Sequence, residues 1–215
     1  MNTPKRIIEL SHVMLPGQEQ YGLEVKPRKE RKGPTGDIMC DVFMWSHVGT
    51  HVEVSLHFYA NGKDTSQVPL DCFFGPALRL DLRHKQINEA ISVDDFKKAG
   101  NIEVGDRVVM WQGRENVYRT KESHHRPYVT AEAAEWLAHD RKIKLLGTDS
   151  SGFEVRGVDT HPNHHTFFKD GVDIPVLECL CNLGEISRPR FFLVALPLAV
   201  KGLDASPVRA LALED

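Results

Sequence analysis

Residues 46–58 read Ser46-His47-Val48-Gly49-Thr50-His51-Val52-Glu53-Val54-Ser55-Leu56-His57-Phe58, and the steps from His47 to His51, Glu53 and His57 are four, two and four residues, all even. In an extended chain successive side chains alternate between faces, so the four polar groups share one face while Val48, Val52, Val54 and Leu56 take the other. On a helix His47 and His51 would share a face and Glu53 and His57 would point nearly opposite. The even spacing favours a strand. Four residues of straight strand span about 13 Å, whereas groups on one ion must each come within about 2 Å of it. The chain must therefore bend between His47 and His51, where Gly49 permits dihedrals and close approaches that other residues resist. Two imidazoles and a carboxylate on a bent segment suit Zn or Mn. A strand with a polar surface face over an apolar one has the same parity.

Outward from this stretch the chain alternates short strands with a few helices. Strands are expected at Arg6–Leu10, Met39–Trp45, Ala77–Leu82, Arg107–Trp111 and Lys144–Leu146, the last ending at Gly147, and near Ile174–Cys179, Phe191–Leu196 and Val208–Leu213. Ser92 caps a short helix that has Asp94 and Asp95 in its first turn and Gly100 past its end. Thr130 caps a longer one, Ala131–Asp140, and His164–Lys169 reads as a third, stopped by Gly171. Pro16–Gly36 reads as a long Pro/Gly-rich loop, a lid or an arm onto a partner subunit. With no repeat, low-complexity tract or linker, residues 1–215 read as one α/β domain with a β-rich core.

Composition narrows the function. A net charge of -3 and a basic cluster (Lys29, Arg31, Lys32) interrupted by Glu30 argue against nucleic acid. Met1–Leu15 has no secretory apolar stretch, and the longest apolar run, Phe191–Val200, contains Pro197 and is half a membrane span, so a cytoplasmic protein is expected. Cys40, Cys72, Cys179 and Cys181 form no disulfide or zinc-knuckle pattern and read as reduced, buried thiols. There is no Gly-x-Ser-x-Gly elbow, no His-Glu-x-x-His helix and no Gly-rich phosphate loop. Asp149, at a strand end, reads either as orienting a group behind the site or as capping a turn.

The stretch His47-Val-Gly49-Thr50-His51-Val-Glu53-Val-Ser55-Leu-His57-Phe58 resembles the cyclase family of bacterial kynurenine formamidases and isatin hydrolases, whose hallmark is His-x-Gly-Thr-His-x-Asp-x-Pro-x-His-Phe. The resemblance extends to Glu9-Leu10-Ser11-His12, Pro69-Leu70, Gly75-Pro76-Ala77, Gly147-Thr-Asp149, His164 to Gly171, Leu196-Pro197-Leu198 and Gly202 to Arg209. Glu53 stands where the family has Asp, and Ser55 where it has Pro. The resemblance implies a barrel-like β core, a homo-oligomer (dimer or tetramer), and a metal held by His47, His51 and Glu53. It further implies that Glu53 bridges to a second ion held by His164, with His165 as the neighbouring alternative, and Glu178. His57 corresponds to the general acid/base.

A metal of this kind acidifies water and polarises a carbonyl, and an imidazole moves protons near neutral pH. The expected activity is hydrolysis of an amide, lactam, lactone or ester bond of a small molecule by one or two divalent ions. Trp45, Phe58 and Tyr59 are candidates for lining its pocket or for the core. Two other functions fit the same residues: a metal- or ligand-binding protein without turnover, and a metal-dependent lyase or isomerase in which His57 moves a carbon-bound proton.

Overall fold

Leu78, Leu80 and Leu82 alternate along the chain and enter one buried core, while Ala77, between them in parity, enters a second. The computed structural model describes residues 3–28 and 38–215. Its strands are β1 (Arg6–Glu9), β2 (Leu23–Pro27), β3 (Cys40–Met44), β4 (His51–Glu53), β5 (Phe74–Asp81), β6 (Ala90–Ile91), β7 (Arg107–Trp111), β8 (Tyr128–Val129), β9 (Leu145–Thr148), β10 (Val176–Glu178), β11 (Arg190–Val194), β12 (Ala205–Pro207) and β13 (Leu211–Glu214). The helices are α1 (Leu70–Phe73), α2 (Val93–Ala99), α3 (Ala131–Glu135) and α4 (Pro162–Phe168).

Nine strands form one mixed sheet in the order β1-β13-β11-β5-β7-β9-β10-β4-β12. The pairs from β5 through β7 and β9 to β10 are parallel, and the flanking pairs are antiparallel. Central strands therefore carry apolar residues on both faces, as parallel sheets require. On β7, Val108 faces one core and Val109 the other; on β9, Leu146 and Leu145 divide the same way. Helices α2, α3 and α4 cover one face, where Phe96 of α2, Ala133 and Ala134 of α3 and Phe167 and Phe168 of α4 pack, while Phe73 of α1 enters the core of the other. On the other face Ile8 of β1 and Ala212 of β13 share a core with Val52 of β4 and Leu177 of β10, strands distant in the sheet order. Just past β1, Ser11 bridges Leu180, and the Cys181 N–H donates to the Leu10 carbonyl at 2.9 Å. Only a curled sheet brings these strands together, so the expected barrel-like α/β architecture takes the form of a half-barrel.

Several boundaries follow the local chemistry. Ser92 caps α2 through a full capping box with Asp95, and Gly100 ends it. The Thr130 hydroxyl accepts from the Ala133 N–H at 3.1 Å. The helix it starts changes after Glu135 into one π-helical turn, Trp136–Asp140, rather than running as α-helix to Asp140. The expected Lys144–Leu146 strand does not end at Gly147; β9 carries through it to Thr148, paired with β7. Gly147 is confined by Val109 and Leu180, whose side chains approach within 3.2 and 3.4 Å of where a Cβ would sit. The space suits the missing side chain.

The Pro16–Gly36 loop is corrected in part. Leu23–Pro27 within it is β2, paired with β3, because Leu23 and Val25 alternate with Glu24 and Lys26. The rest of that expected loop from residue 29 on, and the Lys29–Lys32 cluster, lie outside the described residues. The thiols need a second correction. All four cysteines are free, but only Cys179 and Cys181 are buried; Cys40 is exposed on the β3 ribbon and Cys72 is half-buried. Among the described residues no helix is long and apolar enough to cross a membrane.

Asp149 caps a turn rather than orienting a group behind the site. Burial pushes its carboxyl up to about 6, against the pull of three backbone N–H donors, those of Gln112, Gly113 and Arg114, at 2.7 to 3.0 Å. It pins the loop after β7 to the end of β9 and touches none of the expected metal-site residues.

Candidate metal centre

Gly49 makes the bend that the spacing requires. Its φ is +75°, and a Cβ there would meet the Met14 side chain at 2.8 Å. The next residue locks the turn from below: Thr50 donates to the Cys179 carbonyl at 2.6 Å and accepts from the His12 N–H at 3.1 Å. His51 then enters β4 with its Nδ1 2.9 Å from the Gly49 carbonyl. A carbonyl can only accept, so Nδ1 carries the proton and Nε2 is left to bind. Only His51–Glu53 is strand. His47 lies in the turn before it and His57 in a 3-10 turn, Ser55–His57, after it. The single extended segment inferred from parity is thus a turn, a short strand and a second turn. They still gather the rings: His47 and His51 centroids are 5.1 Å apart, and His47 and His57 centroids 4.4 Å apart.

Neighbouring strands complete the group. β10 pairs with β4 so that Glu178 lies directly opposite His51. Pro162 starts α4, whose first turn carries His164 to the same place. The carboxylate of Glu53 is central. Its Oε1 lies 3.3 Å from His47 Nε2 and 3.4 Å from His51 Nε2, and its Oε2 lies 3.3 Å from His164 Nε2. Glu178 Oε2 is 3.9 Å from His51 Nε2. His51, Glu53, His164 and Glu178 are only 3%, 5%, 8% and 6% exposed, so their charges need compensation inside the protein.

Two observations test whether a cation fits. Among the described residues His47 Nε2 and Glu53 Oε2 are buried without any hydrogen-bond partner, although each faces a polar atom at 3.3 Å. Ligands about 2.0–2.1 Å from a shared tetrahedral ion stand about 3.3–3.4 Å from each other. The spacing is that of ligands around an ion rather than of partners to each other, and the donor set suits a divalent metal.

Protons take up part of the compensation without the metal. Burial raises Glu53, but the three imidazoles hold its carboxyl well below the usual carboxylate range. Glu178 is pushed up to about 7, by burial first and then by Glu53. Burial lowers His164, yet its bond to Glu154 and the facing Glu53 carboxylate carry it up to about 9.

The arrangement separates His164 from His165. The His164 ring is stacked on Phe58, with centroids 4.9 Å apart and an interplanar angle of 20°. The exposed His165 points elsewhere, its Nδ1 2.8 Å from the Tyr59 hydroxyl. His164→Ala is expected to remove at least one metal equivalent, while His165→Ala leaves stoichiometry and activity within about twofold; elemental analysis of both variants checks this. The reverse outcome would place the ligand one residue later.

Two residues here were not anticipated. The Glu154 carboxylate binds both the His164 backbone N–H, at 2.8 Å, and its Nδ1, at 3.0 Å, which turns Nε2 towards Glu53. Asp204 lies 3.0 Å from His57 Nδ1, leaving the other ring nitrogen free. Phe58 and Tyr59 pack partly against the core, and Phe58 also lines a cavity together with Glu53, His164 and Glu178; Trp45 is 54% exposed, with its ring 5.9 Å from Tyr21.

A buried His/Glu cluster on the strands of a curled α/β sheet defines a metal-binding protein of the half-barrel class. The Putative cyclase family model matches residues 8–155, more than half of the chain. Kynurenine formamidase from Erythrobacter litoralis is 31% identical over 196 residues, covering 91% of this chain and 85% of that protein. A predicted metal-dependent hydrolase from Bacillus stearothermophilus has a solved structure that is 27% identical, with a TM-score of 0.75 over 98% of both chains. Isatin hydrolase A from Ralstonia solanacearum, 22% identical, shares the fold with a TM-score of 0.80 over 98% of this chain and 92% of its own. The chain belongs to the Putative cyclase family.

Proposed function

We propose that this chain is a metal-dependent hydrolase that cleaves an amide bond of a small molecule, with an aryl formamide as the class to test first. The observation that carries the reading is the Glu53 carboxylate, whose two oxygens face different imidazoles at 3.3–3.4 Å. We assign His47, His51 and Glu53 to one divalent ion and Glu53, His164 and Glu178 to a second, with Zn or Mn as the candidates. Bound there, a divalent ion supplies Lewis acidity that activates water and polarises a carbonyl.

The chain's own residues do the rest. His57 takes a proton from the attacking water on its free ring nitrogen and returns it to the leaving nitrogen. The hydroxyl thus ends on the acyl carbon and the hydrogen on the amine. Asp204 holds the opposite nitrogen, which fixes the orientation of the ring. Phe58, flat against His164, keeps bulk water from that side. The names of the curated relatives support an amide among the possible bonds. The test is hydrolysis of formanilide followed by amine release and formate, with metal-loaded and chelated protein side by side. Release that needs both metal and water supports the reading; a product formed without taking up water would make the enzyme a lyase or isomerase.

We also propose a homo-oligomer, most simply a dimer. Among the described residues β2 and β3 pair only with each other, and an isolated two-stranded ribbon is marginal in water. This ribbon exposes Val25, Val42 and Phe43, at 44%, 56% and 60%, next to exposed Trp45. Val25 and Val42 lie on one face of the ribbon and Phe43 on the other, and exposed apolar side chains of this kind ask for a covering surface. Light scattering is expected to give a multiple of 24.3 kDa; a monodisperse monomer across micromolar concentrations would contradict it.

A further inference from the structure

A cavity of about 420 Å³ opens beside the candidate metal centre and reaches Glu53, His57, His164 and Glu178. This is an ordinary size for a small-molecule pocket. Two arginines, Arg126 and Arg156, line the rest of it, beside Glu154, Asp159 and His124, whose imidazole is held below its usual range by burial. Arg126 is the unusual member. Its guanidinium lies against Gly152, where a Cβ would meet Nη2 at 2.6 Å, so the glycine leaves the room this side chain occupies. Nε is buried without a hydrogen-bond partner, and the polar contact recorded for the side chain is from Nη1 to the His124 carbonyl at 3.2 Å. The carboxylates of Glu178 and Glu154 act on it at longer range, while Arg156 opposes it, and no ion pair within 4.0 Å forms among the described residues. Its backbone is firmly placed, since the Arg126 carbonyl accepts from the Asn88 N–H at 3.0 Å, and Pro127 and β8 follow.

A planar fork of donors that is always charged, largely desolvated and unpaired in a pocket wall is costly unless something anionic meets it. Glu178 cannot be that partner if it is committed to a metal. We propose that Arg126 is a specificity residue that binds a carboxylate on the substrate, so that the amide cleaved belongs to an anionic molecule. A carboxylate matches the fork bidentately. With the reacting bond over Glu53 and His57, the anion lies across the same cavity, and the acid and the amide are parts of one small molecule. Arg156, more exposed on the rim, adds steering for a negative ligand.

This inference rests on the proposed hydrolase, so its test has two arms. In the first, metal-loaded wild type, Arg126→Ala and Arg126→Lys are compared on formanilide and on its ortho-, meta- and para-carboxylates. At least one carboxylate is expected to be preferred by wild type. Arg126→Ala should lower kcat/KM for that substrate by about 10–100-fold and for formanilide by less than about threefold, with Arg126→Lys between. Equal losses on both substrates, or no loss, overturn the proposal. If wild type hydrolyses neither formanilide nor any of its carboxylates, the aryl formamide reading has failed and the second arm decides. The ortho-, meta- and para-aminobenzoates are titrated calorimetrically into the same three proteins, with thermal midpoints as the folding check. Binding that weakens at least tenfold in Arg126→Ala supports the site. No binding, or binding unchanged by the substitution, assigns the anion elsewhere and overturns it.

Discussion

Glu53→Ala is expected to empty the metal centre, leaving under a tenth of an equivalent of metal and turnover at background. The reason is geometric. Glu53 contacts His47 and His51 through one oxygen and His164 through the other, so its removal takes a ligand from both proposed ions at once. It also leaves three imidazoles with Glu178 as the remaining carboxylate among the assigned ligands, which weakens the attraction for any divalent ion. Glu53→Asp separates chemistry from reach. The shorter side chain keeps the charge and is the residue found in the family hallmark, so metal content should stay near wild type. Elemental analysis and turnover on the same preparations check both variants. Full metal content in Glu53→Ala would remove Glu53 from the ligand set.

His57→Ala is expected to lower kcat by about 10²–10⁴-fold, the usual share of a positioned acid/base, while metal content stays near wild type. His57 sits at the edge of the cluster, in the turn after β4, and one ring nitrogen is already engaged by Asp204. A ring nitrogen of His57 is also near enough to His47 and Glu53 for all three to hold an ion. Coordination and proton transfer are thus the two competing roles, and metal content distinguishes them. If His57→Ala loses metal together with turnover, His57 is a ligand. Asp204→Asn refines the test: a loss of about 10–100-fold with metal retained is the expected signature of a residue that positions His57.

The sequence carried much of this centre because its central residues are local. The parity of His47, His51, Glu53 and His57, and the glycine between the first two, constrain each other within eleven residues. The strands of the sheet were legible for a similar reason, since alternation such as Leu78, Leu80, Leu82 is a local pattern. What escaped depends on distance along the chain. Asp204 meets His57 across 147 residues, and no spacing rule connects them. Glu154 precedes His164 by ten residues, but its role depends on the chain folding back so that one carboxylate binds both the backbone and the ring. The β2 strand was obscured because Pro and Gly dominate its surroundings, and its own alternation is nearly all exposed. The π-helical turn after Glu135 has no composition signal. Glu178 was placed by the family resemblance, and the physical ground for it is the β4–β10 register, which sets it opposite His51.

The central claim is that the His47, His51, Glu53, His164 and Glu178 cluster holds the divalent metal on which turnover depends. The most direct measurement is a metal titration of chelator-stripped protein with Zn or Mn, reading bound equivalents, thermal midpoint and formanilide hydrolysis on the same samples. The expected result is saturation at one or two equivalents, a rise in thermal midpoint as the buried carboxylates are neutralised, and hydrolysis restored in proportion to occupancy. Stripped protein that binds neither ion, or that hydrolyses formanilide as fast without metal as with it, would contradict the claim.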